Sequence, residues 1–222
     1  MPCMRAPSEP DGRSSLARPF DGPAAAAQAI PVASAASDAH RAEVMRWRRR
    51  ERHRLIDERL ALSATDRRAR TALMAERLDG LLGDVRGMTV AVYWPFRGEP
   101  SLREWMQRIH ARGATCALPV VVEPRTALVF RVWWPGASMV RGFWNIPVPA
   151  DGPDVEPDVV VAPVLGFDPA GYRLGYGGGY YDRTLAAMGV RPLVVGVGLA
   201  SAALPTIHPL PHDVPMDAIV TE

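Results

Sequence analysis

Between Gly175 and Gly179 the chain places four glycines in five positions, interrupted only by Tyr176. Glycine lacks a Cβ, so such a backbone can take positive φ and let a bulky group approach its N–H donors. The residues from Tyr180 to Met188 have helix-compatible character, which would set the loop at a helix N-terminus. Free N–H groups and the positive end of the helix dipole suit a phosphate there. Arg173 and Arg183 flank the loop and offer bidentate phosphate contacts. The glycines match neither common nucleotide fingerprint. Tyr180 stands where a dinucleotide loop needs glycine, and a P-loop needs a lysine in a chain that has none.

The combination is more specific than its glycines. Phe167-Asp168, Gly171, Arg173-Leu174-Gly175, Gly177 and Gly179-Tyr180-Tyr181-Asp182-Arg183 together resemble the signature of the 5-formyltetrahydrofolate cyclo-ligase family, also called methenyltetrahydrofolate synthetases. The resemblance implies a three-layer Rossmann-like α/β sandwich of the sugar-isomerase and CoA-transferase type. It also implies conversion of 5-formyltetrahydrofolate to 5,10-methenyltetrahydrofolate with ATP and Mg2+, releasing ADP and phosphate. A formamide oxygen is a poor leaving group, so in this chemistry ATP phosphorylates it before N10 closes the ring. The protein then has to position two ligands and stabilise transferring charge rather than supply a nucleophile. No Ser-His-Asp or Cys-His pattern asks for one.

The resemblance also assigns roles. A basic pair four residues apart on an N-terminal helix closes over the phosphates; counting back from Leu62-Ser63 gives Arg48 and Arg52. That spacing puts both on one helix face. With Arg173, Leu174, Gly175, Tyr176, Gly177, Gly178, Gly179, Tyr180 and Tyr181 they form the expected ATP site, and Arg173 and Tyr180 are the expected catalytic groups. The expected folate pocket comprises Arg52, Tyr93, Glu99, Trp144, Tyr176 and Tyr180. Glu99 would accept N–H donors from the pterin, a pairing natural to a carboxylate. Asp182 and Asp213 would hold Mg2+, which takes few protein carboxylates. Plainer roles stand beside these: packing for Trp144, Tyr93 and Phe96, helix caps or turns for the two aspartates, a solvated face for most arginines of Arg46–Arg54. Some members of the family carry basic residues where Tyr176 and Gly178 stand; here that charge would come from Arg173 or Arg183.

These residues need a scaffold. The chain has 222 residues, 48% hydrophobic and 23% charged, as expected for a globular domain, placed at residues 40–222. The Ala-, Pro-, Ser- and Gly-rich residues 1–39 read as a disordered tail. A net charge of +2 counts against a dedicated nucleic-acid binder, and no apolar run reaches membrane-spanning length. Cys3 and Cys116 form no disulfide framework, so a reducing, cytoplasmic setting is expected, with a monomer or weak dimer. A basic helix spans His40 to Leu62, and Ser63 caps a second helix that buries Leu73, Met74, Leu78, Leu81 and Leu82. Strands follow at Met88–Trp94, Thr115–Pro119, Leu128–Trp133, Val159–Val164 and Leu193–Leu199, with a helix capped by Ser101 after the first. Strands and helices in alternation predict an open, mostly parallel α/β sheet. Two further functional classes fit less well. A non-catalytic folate- or nucleotide-binding relative would bind without turnover. A nucleic-acid-associated protein would use the Arg46–Arg54 helix and lose affinity with salt.

Overall fold

The computed structural model describes residues 38–222, so residues 1–37 of the expected tail lie outside the description. Helix α1 (Asp38–Ala61) is polar over most of its surface. Its narrow inward stripe buries Val44, Arg48, Leu55 and Arg59, while Arg54 pairs with Glu51 and Glu58 on the solvent side. Ser63 ends the connection, its hydroxyl accepting from Asp66 N–H at 3.0 Å to cap α2 (Ala64–Leu82). Strand β1 (Thr89–Ala91), helix α3 (Arg103–Ala111) and strands β2 (Thr115–Val120) and β3 (Val129–Trp133) follow. Next come β4 (Met139–Arg141), β5 (Pro147–Pro149), β6 (Asp154–Val155), β7 (Val159–Pro163), β8 (Gly166–Phe167) and β9 (Arg173–Leu174). Helix α4 (Tyr180–Ala187) and strands β10 (Leu193–Val197) and β11 (Ala218–Val220) complete the fold.

Seven strands form the main sheet in the order β11-β10-β7-β1-β2-β3-β6. The first five are parallel; β3 and β6 join antiparallel at one edge. Side chains alternate across it. Val159 and Val161 face Met74, Leu78, Trp105 and Ile109 of α2 and α3, whereas Val160 and Ala162 meet Leu185 of α4 and Met216. Covering both faces explains why β7 is an unbroken apolar run. The three-layer, mostly parallel sandwich expected from the sequence is therefore what forms. The chain moves outward from β1 to β2 on one side and from β7 to β10 and β11 on the other. A crevice opens at the carboxyl ends of β1 and β7, where that direction reverses.

Several local expectations change. Leu73 is 48% and Leu81 38% exposed, because the buried stripe of α2 is centred on Met74, Ala75 and Leu78. Leu73 points nearly opposite that stripe and Leu81 sits on its margin. Ser101 does not cap α3; the N-cap is Leu102, with no side-chain bond. The first strand stops at Ala91 instead of Trp94, freeing Tyr93 and Trp94 to turn into the crevice. Trp134 is 39% exposed, while its neighbour Trp133 packs in the core. Just past β10, Gly198 lies against the chain leaving β7: a Cβ there would fall 2.3 Å from Val164 Cγ2 and 2.9 Å from the Val164 carbonyl. Gly198→Ala should destabilise the fold by about 1–3 kcal/mol through overpacking, read from urea denaturation midpoints.

Candidate active site

The crevice widens into one open cavity of about 210 Å3, walled by Tyr93, Trp94, Pro119, Val121 and Pro163 from the ends of β1, β2 and β7. The glycine loop, the Phe96–Glu99 turn, the Phe143–Ile146 segment and α1 close around it. Its two ends differ in chemistry.

At one end lies the glycine loop. Gly177 and Gly179 have φ of 93° and 63°, conformations that side chains other than glycine rarely adopt. A Cβ on Gly178 would lie 2.8 Å from the Tyr180 ring. Among the described residues, the backbone N–H groups from Gly177 to Asp182 find no backbone acceptor. They form a row of donors at the start of α4. Arg52 lies across the loop, its Nε donating to the Gly175 carbonyl at 2.6 Å, while its two Nη groups have no partner among the described residues. Burial and the like charge of Arg48 hold the Arg52 guanidinium below its ordinary pKa, so an anion beside it relieves a real cost.

The other cations here are already engaged. Arg48, 4% exposed, donates from Nε to the Ile207 carbonyl at 3.0 Å and from Nη2 to the His208 carbonyl at 2.9 Å, and grips both oxygens of Asp213. Burial pushes the Asp213 carboxyl up, but Arg48 and the Leu210 N–H outweigh it and leave the pKa lowered. Arg173 pairs with Asp182 at 3.1 Å and stands over the Tyr181 ring at 5.4 Å. Arg183 donates to the Gly178 carbonyl and so props the loop from outside.

Asp182 and Asp213 border the same cavity, and Val214, next to Asp213, donates to Asp182 Oδ1 at 3.1 Å. Among the described residues no three His, Cys, Asp or Glu side chains gather as a metal cage. Each Asp182 oxygen accepts one protein donor and keeps a lone pair, and Asp213 Oδ1 does likewise towards Arg48. A pair of carboxylates fits Mg2+, which completes its shell with water and phosphate oxygens.

The other end is aromatic and carries one buried acid. Phe96 stacks on Trp144 with centroids 6.3 Å apart and planes at 19°, and Tyr176 and Tyr180 meet Trp144 edge-on. Trp144 is 46% exposed and has φ of 54°, so its backbone holds an uncommon left-handed conformation that presents the ring to the cavity mouth instead of the core. Glu99, 5% exposed, accepts from Phe96 N–H at 2.8 Å. Burial pushes its carboxyl up to about 7, against the opposing pull of Arg59 and of the Phe96 N–H donor. Tyr93 donates to the Pro100 carbonyl at 2.8 Å and is structural in its hydroxyl, while its ring lines the cavity.

The residues expected from the sequence converge on one cavity, except Leu174, which is buried in the core beneath it, and Arg183, which props the glycine loop from outside. The sequence reading passed over Arg59. This arginine, 3% exposed, donates from Nε to the Arg97 carbonyl at 3.0 Å and from Nη2 to the Tyr176 hydroxyl. The available signal was position: Arg48, Arg52, Leu55 and Arg59 share one stripe of α1, so an arginine sat where a core leucine belongs.

A sequence profile of the 5-formyltetrahydrofolate cyclo-ligase family matches residues 44–222. This chain belongs to that family. It is 32% identical over 161 residues to a 5-formyltetrahydrofolate cyclo-ligase of Mycolicibacterium smegmatis, spanning 66% of this chain and 81% of that one. The structure of a 5,10-methenyltetrahydrofolate synthetase from Aquifex aeolicus superposes with a TM-score of 0.68 at 28% identity, over 78% of this chain and 88% of that one. The synthetase from Mycoplasma pneumoniae shares the fold, with a TM-score of 0.64 at 21% identity over 78% and 98% of the two chains. Membership makes the chain an enzyme of the ligase class, a 5-formyltetrahydrofolate cyclo-ligase. Among the described residues no helix is long and apolar enough to cross a membrane.

Proposed function

We propose that this cyclo-ligase converts 5-formyltetrahydrofolate and ATP into 5,10-methenyltetrahydrofolate, ADP and phosphate, with Mg2+. One observation carries the reading: a single cavity joins a row of open N–H donors under Arg52 to an aromatic cleft floored by a buried carboxylate. The triphosphate lies along Gly177–Asp182, with the Arg52 Nη groups on its oxygens. Asp182 and Asp213 would hold Mg2+, which would offset phosphate charge. The pterin sits among Tyr93, Phe96, Trp144, Tyr176 and Tyr180, and ionised Glu99 accepts its ring N–H groups. The formyl oxygen then faces the terminal phosphate, its phosphorylation makes the carbon electrophilic, and N10 closes the ring as phosphate leaves. Arg173 and Tyr180, at the junction of the two ends, stabilise charge and fix orientation. A cytoplasmic setting suits substrates of this kind.

The test is direct. Purified protein mixed with 5-formyltetrahydrofolate, ATP and Mg2+ should build up the near-ultraviolet absorbance of the methenyl product, stop on chelation and resume on adding Mg2+. Binding of both ligands without product would identify a non-catalytic relative instead.

A further inference from the structure

Arg59 has no part in the scheme above, yet it is a nearly fully buried cation beside a buried acid. Its guanidinium ties three segments together. Nε reaches the Arg97 carbonyl and Nη2 the Tyr176 hydroxyl, and that hydroxyl in turn donates to the Phe96 carbonyl at 3.3 Å. Phe96 N–H is the donor to Glu99, so the carboxylate, its turn and the tyrosine of the glycine loop hang from one side chain of α1. The guanidinium also lies 5.6 Å from the Tyr176 ring centroid, which fixes the ring as well as its hydroxyl. No carboxylate forms an ion pair with Arg59 among the described residues; Glu99 is the acid it senses through space.

We propose that Arg59 is a positioning residue of the folate end: it sets the Tyr176 phenol against the cavity, holds the Phe96 turn that presents Glu99, and favours the ionised form of Glu99 towards the ring N–H donors of the substrate. The proposal rests on the reading of Glu99 as the folate acceptor. The groups around Glu99 agree with it. Burial raises the Glu99 pKa; Arg59 is the cation that pulls it back down, aided by the Phe96 N–H, whose turn the Arg59–Tyr176–Phe96 hydrogen-bond chain holds in place. A purely structural arginine would clamp loops without affecting when a ligand binds. This one couples α1 to the protonation of the site.

The test is the pH dependence of 5-formyltetrahydrofolate affinity, measured by calorimetry without ATP. In the wild type, affinity should fall about tenfold per pH unit below a midpoint near 7, the value to which Glu99 is raised. Arg59→Gln, neutral but able to hydrogen-bond, should move that midpoint up by about one unit, and Arg59→Lys should bring it back. ATP affinity should stay within about twofold throughout. A midpoint that Arg59→Gln leaves in place overturns the proposal alone. Should the wild type show no acid limb, with Glu99→Gln binding folate normally, the reading of Glu99 falls and the proposal with it. Where Arg59→Gln does not fold, the wild-type Arg59 Nε–H resonance serves. It should titrate with the folate-binding midpoint and lose that titration in Glu99→Gln, and a resonance insensitive to pH from 6 to 8 overturns the proposal.

Discussion

Glu99→Gln is expected to leave a protein that is more stable at pH 8 by roughly 3 kcal/mol and binds 5-formyltetrahydrofolate about ten- to a hundredfold more weakly. The stability half follows from linkage. Burial raises the folded carboxyl from its ordinary 4.5 to about 7. Between those values the native state binds the proton more tightly than the unfolded chain, so stability falls as pH rises through that window. Above 7 the full cost is in place, at about 1.36 kcal/mol per pH unit of displacement. Glutamine has the same shape, keeps an oxygen for the Phe96 N–H and has no charge to bury. The gain should thus vanish near pH 4, where glutamate is protonated in both states. Urea denaturation at pH 4 and pH 8 reads the difference directly. The binding half follows from the amide itself: its NH2 meets ring N–H donors with a donor, losing charge-assisted bonds of about 1.5–3 kcal/mol. A variant that gains stability and keeps its folate affinity would place the pterin elsewhere.

That pairing of strain with use explains what could be read from the sequence alone. The layer order and the parallel core were legible because an apolar run such as Val159–Ala162 has few alternatives to a strand covered on both faces. The glycine loop was legible because three residue types, glycine, tyrosine and aspartate, recur there at fixed spacing. What the chain order could not reveal was which polar groups are already partnered. Arg48 and Arg52 look alike on a helical wheel, yet Arg48 meets two carbonyls and a carboxylate that follow it by some 160 residues, and Arg52 meets only one loop carbonyl. Leu73 and Leu81 misled for a related reason: periodicity gives the stripe, while the tilt of the helix on its sheet decides its centre. Arg59 escaped notice because a buried arginine is legible only once its acceptors, Arg97 and Tyr176, are in place.

Replacing those two arginines by methionine should accordingly give opposite phenotypes. Arg48→Met removes the partner of Asp213, whose side chain is 9% exposed, and breaking a buried pair from one side costs about 3–5 kcal/mol. The loss should be complete at neutral pH. Because the native Asp213 carboxyl is held below its ordinary pKa, its contribution is present above the unfolded value and disappears as pH falls through the folded one. The gap between Arg48→Met and wild type should therefore shrink towards pH 3, a trend that lost packing alone would not produce. Arg52→Met breaks one protein hydrogen bond and should cost no more than about 1.5 kcal/mol of stability. Its two open Nη groups are another matter. Charged contacts of about 1.5–3 kcal/mol each, lost from the phosphate end, lower kcat/KM for ATP by roughly two to four orders of magnitude, with folate affinity far less affected. If instead Arg48→Met unfolds at the wild-type denaturant concentration and loses ATP turnover, the Arg48–Asp213 pair opens on binding, and both arginines close on the nucleotide.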